Sequence, residues 1–122
     1  MMEMEFTIVC LDGRYCFSCR ADEGFDYETD TDINGLECIQ GQLDEGKAAE
    51  FVKLINEAEI ERWGREYGGE HLIQDGIEWS IKYIKDDKEY NSCGKESFEP
   101  YRFEYLLKAI KLCDRQLEYF GW

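Results

Sequence analysis

Chemistry in this chain would have to come from carboxylates and thiols. Between Arg20 and Lys47 stand nine acidic residues and no lysine or arginine. Six of them, Asp22, Glu23, Asp26, Glu28, Asp30 and Asp32, fall within eleven positions. Dense carboxylates can hold a cation, exchange protons or present a negative field to a positive partner. The cation reading is weak in detail. Asp30-x-Asp32-x-Asn34-Gly35 resembles the start of a calcium loop, but position twelve of such a loop, a bidentate Glu, is Gly41 here. A hairpin turn at Asn34-Gly35 explains the same residues with fewer assumptions. Cys16-x-x-Cys19 has the spacing of half a zinc site, yet no second pair exists and the one histidine, His71, is isolated. On a strand, residues three apart face opposite ways, so free buried thiols are expected and no metal or other cofactor. With a single imidazole, no nucleophile elbow and no phosphate-binding glycine loop, the chain is not expected to be an enzyme.

Charge is the most unusual property. Fourteen basic residues against twenty-eight acidic ones give a formal net charge of −14. Residues 1–50 carry thirteen acids and three bases, whereas residues 51–122 carry fifteen and eleven. Like charge repels nucleic acid and anionic membranes, and the same field attracts basic proteins. The start, Met1 to Glu5, is acidic where a signal peptide would be basic, and no apolar run approaches 18 residues. A cytoplasmic location is therefore expected, with the six cysteines reduced.

These residues need elements to position them. At 122 residues the chain is one domain in length, large enough for a core without disulfides. Phe6–Leu11 and Tyr15–Arg20 read as a hairpin around Asp12-Gly13. From Phe25 to Ile33, apolar residues and threonines alternate with Asp26, Glu28, Asp30 and Asp32; a period of two places those four carboxylates on one sheet face, toward water. Leu36–Gln40 pairs back across Asn34-Gly35. Asp44 caps a helix over about 46–60, with Ala48, Phe51, Val52, Ile55 and Ala58 as its buried stripe. Ile77–Tyr83 and Lys88–Ser92 form a third hairpin around Asp86-Asp87. Pro100 opens a last helix whose apolar stripe runs from Phe103 to Phe120. The expected fold is α+β: an antiparallel sheet of about six strands with two amphipathic helices packed on one face. The tail ending in Gly121-Trp122 either folds back onto the sheet, the favoured reading, or offers an exposed anchor for another protein.

Trp63 and Tyr67, Asp75, Gly76 and Trp79, Ser92 and Gly94, then Phe98 and Pro100 form a spaced pattern: Trp-x-x-x-Tyr, Asp-Gly-x-x-Trp, Ser-x-Gly and an aromatic residue near a proline. Over residues 51–113 this resembles a small domain that recurs in proteins of anaerobic gut bacteria. The resemblance implies a β-rich start followed by the helix and hairpin above, and it implies no particular activity.

Two functional expectations follow. The first is an acidic protein-binding inhibitor, of the immunity or phage anti-defence type, that blocks a basic nucleic-acid-handling protein such as a nuclease. Asp22, Glu23, Asp26, Glu28, Asp30 and Asp32 would fill the groove that phosphates normally occupy. The alternative is an accessory domain with a small-ligand or peptide site in the loops around 63–79 and 92–101, its acidity serving only solubility.

Overall fold

A computed structural model describes residues 1–68, 76–95 and 99–122 of the chain. Its mixed sheet has seven strands: β1 (Met2–Cys10), β2 (Gly13–Ala21), β3 (Phe25–Thr31), β4 (Ile39–Gln42), β5 (Glu66–Tyr67), β6 (Glu78–Lys85) and β7 (Lys88–Lys95). Across the sheet the order is β4-β3-β2-β1-β6-β7-β5, antiparallel at every pair except β5 with β7, which is parallel. The seventh strand was not expected. It is two residues long, too short to show a period in the sequence. Helix α1 (Glu45–Ala58) leaves the β4 edge and leads, through a 3-10 turn at Ile60–Arg62, to β5 at the opposite edge. Helix α2 (Phe103–Lys111) and a 3-10 helix at Arg115–Phe120 complete the layer.

Alternation decides which side of the sheet is covered. Met4, Phe6 and Ile8 of β1, Tyr15 and Phe17 of β2, Phe25 of β3, and Trp79, Ile81 and Tyr83 of β6 are all buried, and the residues between them are polar or charged for the most part. Both helices lie on that apolar side. Phe51 of α1 meets Phe25 at a ring-centroid distance of 4.6 Å, and Phe103 of α2 meets Trp79 at 4.9 Å. Trp122 packs on Phe6 and Phe103, at 6.3 and 5.5 Å. Two helices therefore cover one face, and among the described residues no helix packs on the other.

The local signals act as the sequence implies at several points. Asp44 Oδ1 accepts from the Lys47 amide at 2.8 Å, capping α1. The first hairpin forms, but its turn is Leu11-Asp12, one residue before the expected Asp12-Gly13; Gly13 opens β2, paired with Cys10, with a positive φ of 135° that a side chain would resist. Other boundaries move. β3 ends at Thr31, because Asp32 turns toward β2: its Oδ1 accepts from the Arg14 amide at 2.7 Å. Asn34-Gly35 is not a two-residue hairpin but part of a longer loop. Ile33 is drawn into the core, and Gln116 clamps Glu37 through its amide at 2.7 Å and its carbonyl at 2.9 Å. Val52 is 37% exposed and lies off the buried stripe of α1. The last helix is broken rather than continuous, for a reason given below. No helix among the described residues is long and apolar enough to cross a membrane.

Burial of ionisable groups makes the fold sensitive to alkali. Tyr83 is pushed up to about 12, chiefly by burial, and Cys113 up to about 12 by burial with Asp114 adding to it. Burial likewise raises Tyr15 and Cys19. Each group holds its proton in the folded state at pH values where the unfolded chain releases it. Their stabilising contribution is complete below about pH 9, where an ordinary thiol begins to ionise, and is lost as pH rises toward 12. Denaturant midpoints are expected to fall steadily over that window, and Tyr83→Phe should make the decline shallower. A midpoint constant from pH 8 to 12 would contradict this.

Candidate protein-binding surface

The uncovered sheet face can be read strand by strand from the register. Glu3 stands opposite Arg20, and Arg20 opposite Asp26; Glu5 stands opposite Ser18, and Ser18 opposite Glu28; Cys16 stands opposite Asp30. On the outer side Asp26 faces Gln42 and Glu28 faces Gln40 of β4. On the other side Glu5 faces Lys82 of β6. Together these border a groove of about 670 Å3, lined by the charged residues Glu3, Glu5, Arg20, Asp26, Glu28 and Lys82 and by apolar ones such as Met4 and Ile84.

Electrostatics in this groove are unbalanced. Its two cations are already engaged: Arg20 Nε lies 3.5 Å from Glu3, and Lys82 Nζ lies 3.7 Å from Glu89. Asp26 accepts from the Gln42 side-chain amide at 2.7 Å, and Asp30 from the Cys38 thiol at 3.4 Å. Among the described residues, none of Asp26, Glu28 and Asp30 forms an ion pair. Strand geometry sets these three carboxylates roughly 7 Å apart along β3. They stand in one row, exposed, at the side of the sheet nearest the β4 edge.

The six carboxylates expected to act together are thus divided. Asp26, Glu28 and Asp30 share the uncovered face. Asp22 and Glu23 lie on the turn between β2 and β3, at the corner of the sheet, with Asp22 3.9 Å from Arg20. Asp32 holds the Arg14 amide and supports the β2–β3 end. Asp32 and Asp30 have different partners, the Arg14 amide and the Cys38 thiol, and among the described residues no group of three or more His, Cys, Asp or Glu side chains is placed to hold a metal ion. All six cysteines are free thiols. Cys16 lies on the uncovered side within 3.4 Å of Thr7 Oγ1, while Cys19 is buried in the core on the other.

A polar cluster that the sequence did not announce sits under the helical layer. Asp114 is only 3% exposed, and its Oδ2 accepts from Tyr15 Oη and Thr29 Oγ1, both at 2.8 Å. Its Oδ1 accepts from the Gln116 amide at 2.9 Å and so caps the final 3-10 helix. Turning this carboxyl inward is what breaks the last helix, since Asp114 takes an extended backbone (φ −145°). Closed off from solvent and saturated with donors, the cluster is built for support.

The spaced Trp, Tyr, Ser and Gly residues also have a packing explanation. The rings of Trp63 and Tyr67 lie 6.2 and 6.0 Å from that of Trp79. Trp63 Nε1 donates to the Ala58 carbonyl at 2.9 Å, and Ser92 Oγ donates to the Gly64 carbonyl at 2.6 Å. A Cβ at Gly94 would lie 2.7 Å from the Trp79 indole, so this position needs the space that glycine leaves. The described parts of the loops around 63–79 and 92–101 are therefore engaged in holding β5, β6 and β7 together. His71, Asp75 and Phe98 lie outside the described residues. Compared with family models and with curated protein sequences, the chain matches none.

Proposed function

We propose that the protein is a cytoplasmic, acidic protein-binding inhibitor that blocks a basic, nucleic-acid-handling protein. The observation that supports this reading best is the row Asp26, Glu28 and Asp30 on a sheet face that no described helix covers, none of the three in an ion pair among the described residues although Arg20 stands opposite Asp26. Carboxylates held on a rigid strand are pre-organised, so little side-chain order is lost on binding a positive groove. The excess negative charge steers encounter and makes association fast and salt-sensitive. Asp22 and Glu23 at the adjoining corner widen the same field. The partner's positive groove, shaped for phosphates, is filled by carboxylates instead.

The test is affinity capture on immobilised protein at low and high salt, followed by affinity measurement with the partner so identified. A basic nucleic-acid-binding protein is expected at low salt and should be released at high salt. The triple variant Asp26→Asn, Glu28→Gln, Asp30→Asn should bind it about tenfold to a hundredfold more weakly, with a flatter salt dependence. Unchanged affinity in the triple variant would overturn the proposal.

A further inference from the structure

We infer that the groove between α1 and the β2–β3 turn receives the apolar side of a basic amphipathic helix belonging to the partner. This rests on the reading of a basic partner above and specifies the segment that docks. The groove measures about 800 Å3. Its floor is apolar: Ala48, Ala49 and Val52 come from α1, with Phe25 and Leu43 behind them. Val52, at 37% exposure, is the large apolar side chain of α1 that the fold does not bury, although Phe51 and Ile55 beside it are buried.

Charge identifies the kind of occupant. The rim carries Asp22 and Glu23 on one side, and Glu45, Glu57 and Glu59 along and just beyond α1. Asp22 lies 3.9 Å from Arg20 and Glu59 3.5 Å from Arg62, which leaves Glu23, Glu45 and Glu57 without an ion pair among the described residues; the lining itself carries two cations, Lys53 and Arg102. Arg102 is already tied down, since its Nη1 donates to the Glu57 carbonyl at 3.1 Å and its guanidinium lies against the Tyr101 and Tyr105 rings. An apolar floor inside a negative rim is complementary to leucine-like side chains flanked by lysine or arginine.

Backbone chemistry then selects a helix over an extended strand. One wall is α1, whose own amides and carbonyls are bonded internally along most of its length, so it offers few partners to an incoming backbone. An occupant must satisfy its own backbone and contribute side chains only, as helices do when laid in a groove. The 14 residues of α1 make a wall about 20 Å long, matching a helix of about four turns. The chain links this groove to the acidic sheet face at the sheet corner, since Ala21 and Asp22 follow Arg20 and Leu43 follows Gln42.

The experiment uses two fluorescent synthetic peptides of identical leucine and lysine content. One places its leucines on a single helical face and the other spreads them around the helix. The amphipathic peptide is expected to bind about tenfold more tightly, roughly the effect of burying one more aliphatic side chain. Val52→Lys, a substitution at an exposed helical position, should erase that advantage. The Asp26→Asn, Glu28→Gln, Asp30→Asn variant should weaken both peptides and leave their ratio intact. Equal binding of the two peptides, or an advantage that survives Val52→Lys, would overturn the groove while the basic-partner reading stands. No binding of either peptide at low salt would count against both.

Discussion

Asp114→Ala is expected to lower the unfolding free energy by about 3 kcal/mol, the largest single effect of any substitution considered for this fold. The carboxyl accepts from Tyr15 Oη and Thr29 Oγ1 in the core, and from the Gln116 amide at the start of the final 3-10 helix. Alanine leaves two buried hydroxyls without an acceptor and a helix without its cap. Each orphaned group costs about 1–3 kcal/mol and the cap about 1 kcal/mol, with partial relief as water or neighbouring groups relax. For a chain of this length the loss corresponds to a fall in Tm of about 10 °C. Asp114→Asn keeps an acceptor oxygen and should fall between wild type and alanine. A cycle with Tyr15→Phe should show the two positions strongly coupled, because the second substitution removes a donor already orphaned by the first. If Asp114→Ala shifted Tm by a degree or less, the buried cluster would not be a support of the fold.

Gly94→Ala is expected to destabilise by about 2 kcal/mol, against the sign that strand propensity alone gives. Alanine normally gains on glycine inside a strand, because it loses less backbone entropy on folding. Here the added Cβ would lie 2.7–2.9 Å from three atoms of the Trp79 indole. Trp79 has no easy retreat: Trp63, Tyr67 and Phe103 pack around its ring. Overpacking of that kind typically costs about 1–3 kcal/mol. The indole should be displaced, so tryptophan fluorescence ought to change along with the denaturant midpoint. A stability gain with unchanged fluorescence would show that the aromatic cluster adjusts freely.

Much of the architecture was legible in the residues because hydrophobic period is a strong signal. The alternation of Asp26, Glu28 and Asp30 with Phe25 and Thr29, and of Glu78, Ser80 and Lys82 with Trp79 and Ile81, reports one dry face and one wet face. The Asp44 cap and the α1 stripe were equally plain, except for Val52, whose apolar character misled. What failed to show depends on contacts distant in sequence. Asp114 lies on an otherwise apolar stripe, and nothing local says that it meets Tyr15 and Thr29, 99 and 85 residues away. The Asn34-Gly35 pair carries a strong hairpin signal, yet burial of Ile33 and the clamp from Gln116 open it into a longer loop. β5 is two residues paired in parallel with a distant strand, which leaves no period to read.

The candidate surface was readable in part for the same reason. Strand alternation places Asp26, Glu28 and Asp30 together, and it would have placed Asp32 with them had β3 continued. Whether Asp22 and Glu23 join that row or turn the corner depends on the path of the β2–β3 turn, which composition does not encode. The groove beside α1 was invisible in the sequence, since it exists only once Leu43, the turn and the helix converge.

An inhibitor of this kind requires the uncovered face of β1, β2 and β3 to act as one negative surface. An amide-resolved NMR titration of the protein with oligolysine, at low salt and again at high salt, addresses this directly. The predicted result is a cluster of shifts at Glu3, Glu5, Arg20, Asp26, Glu28 and Asp30 that fades as salt is added. Shifts scattered evenly over the molecule, or concentrated on the helical layer, would contradict it.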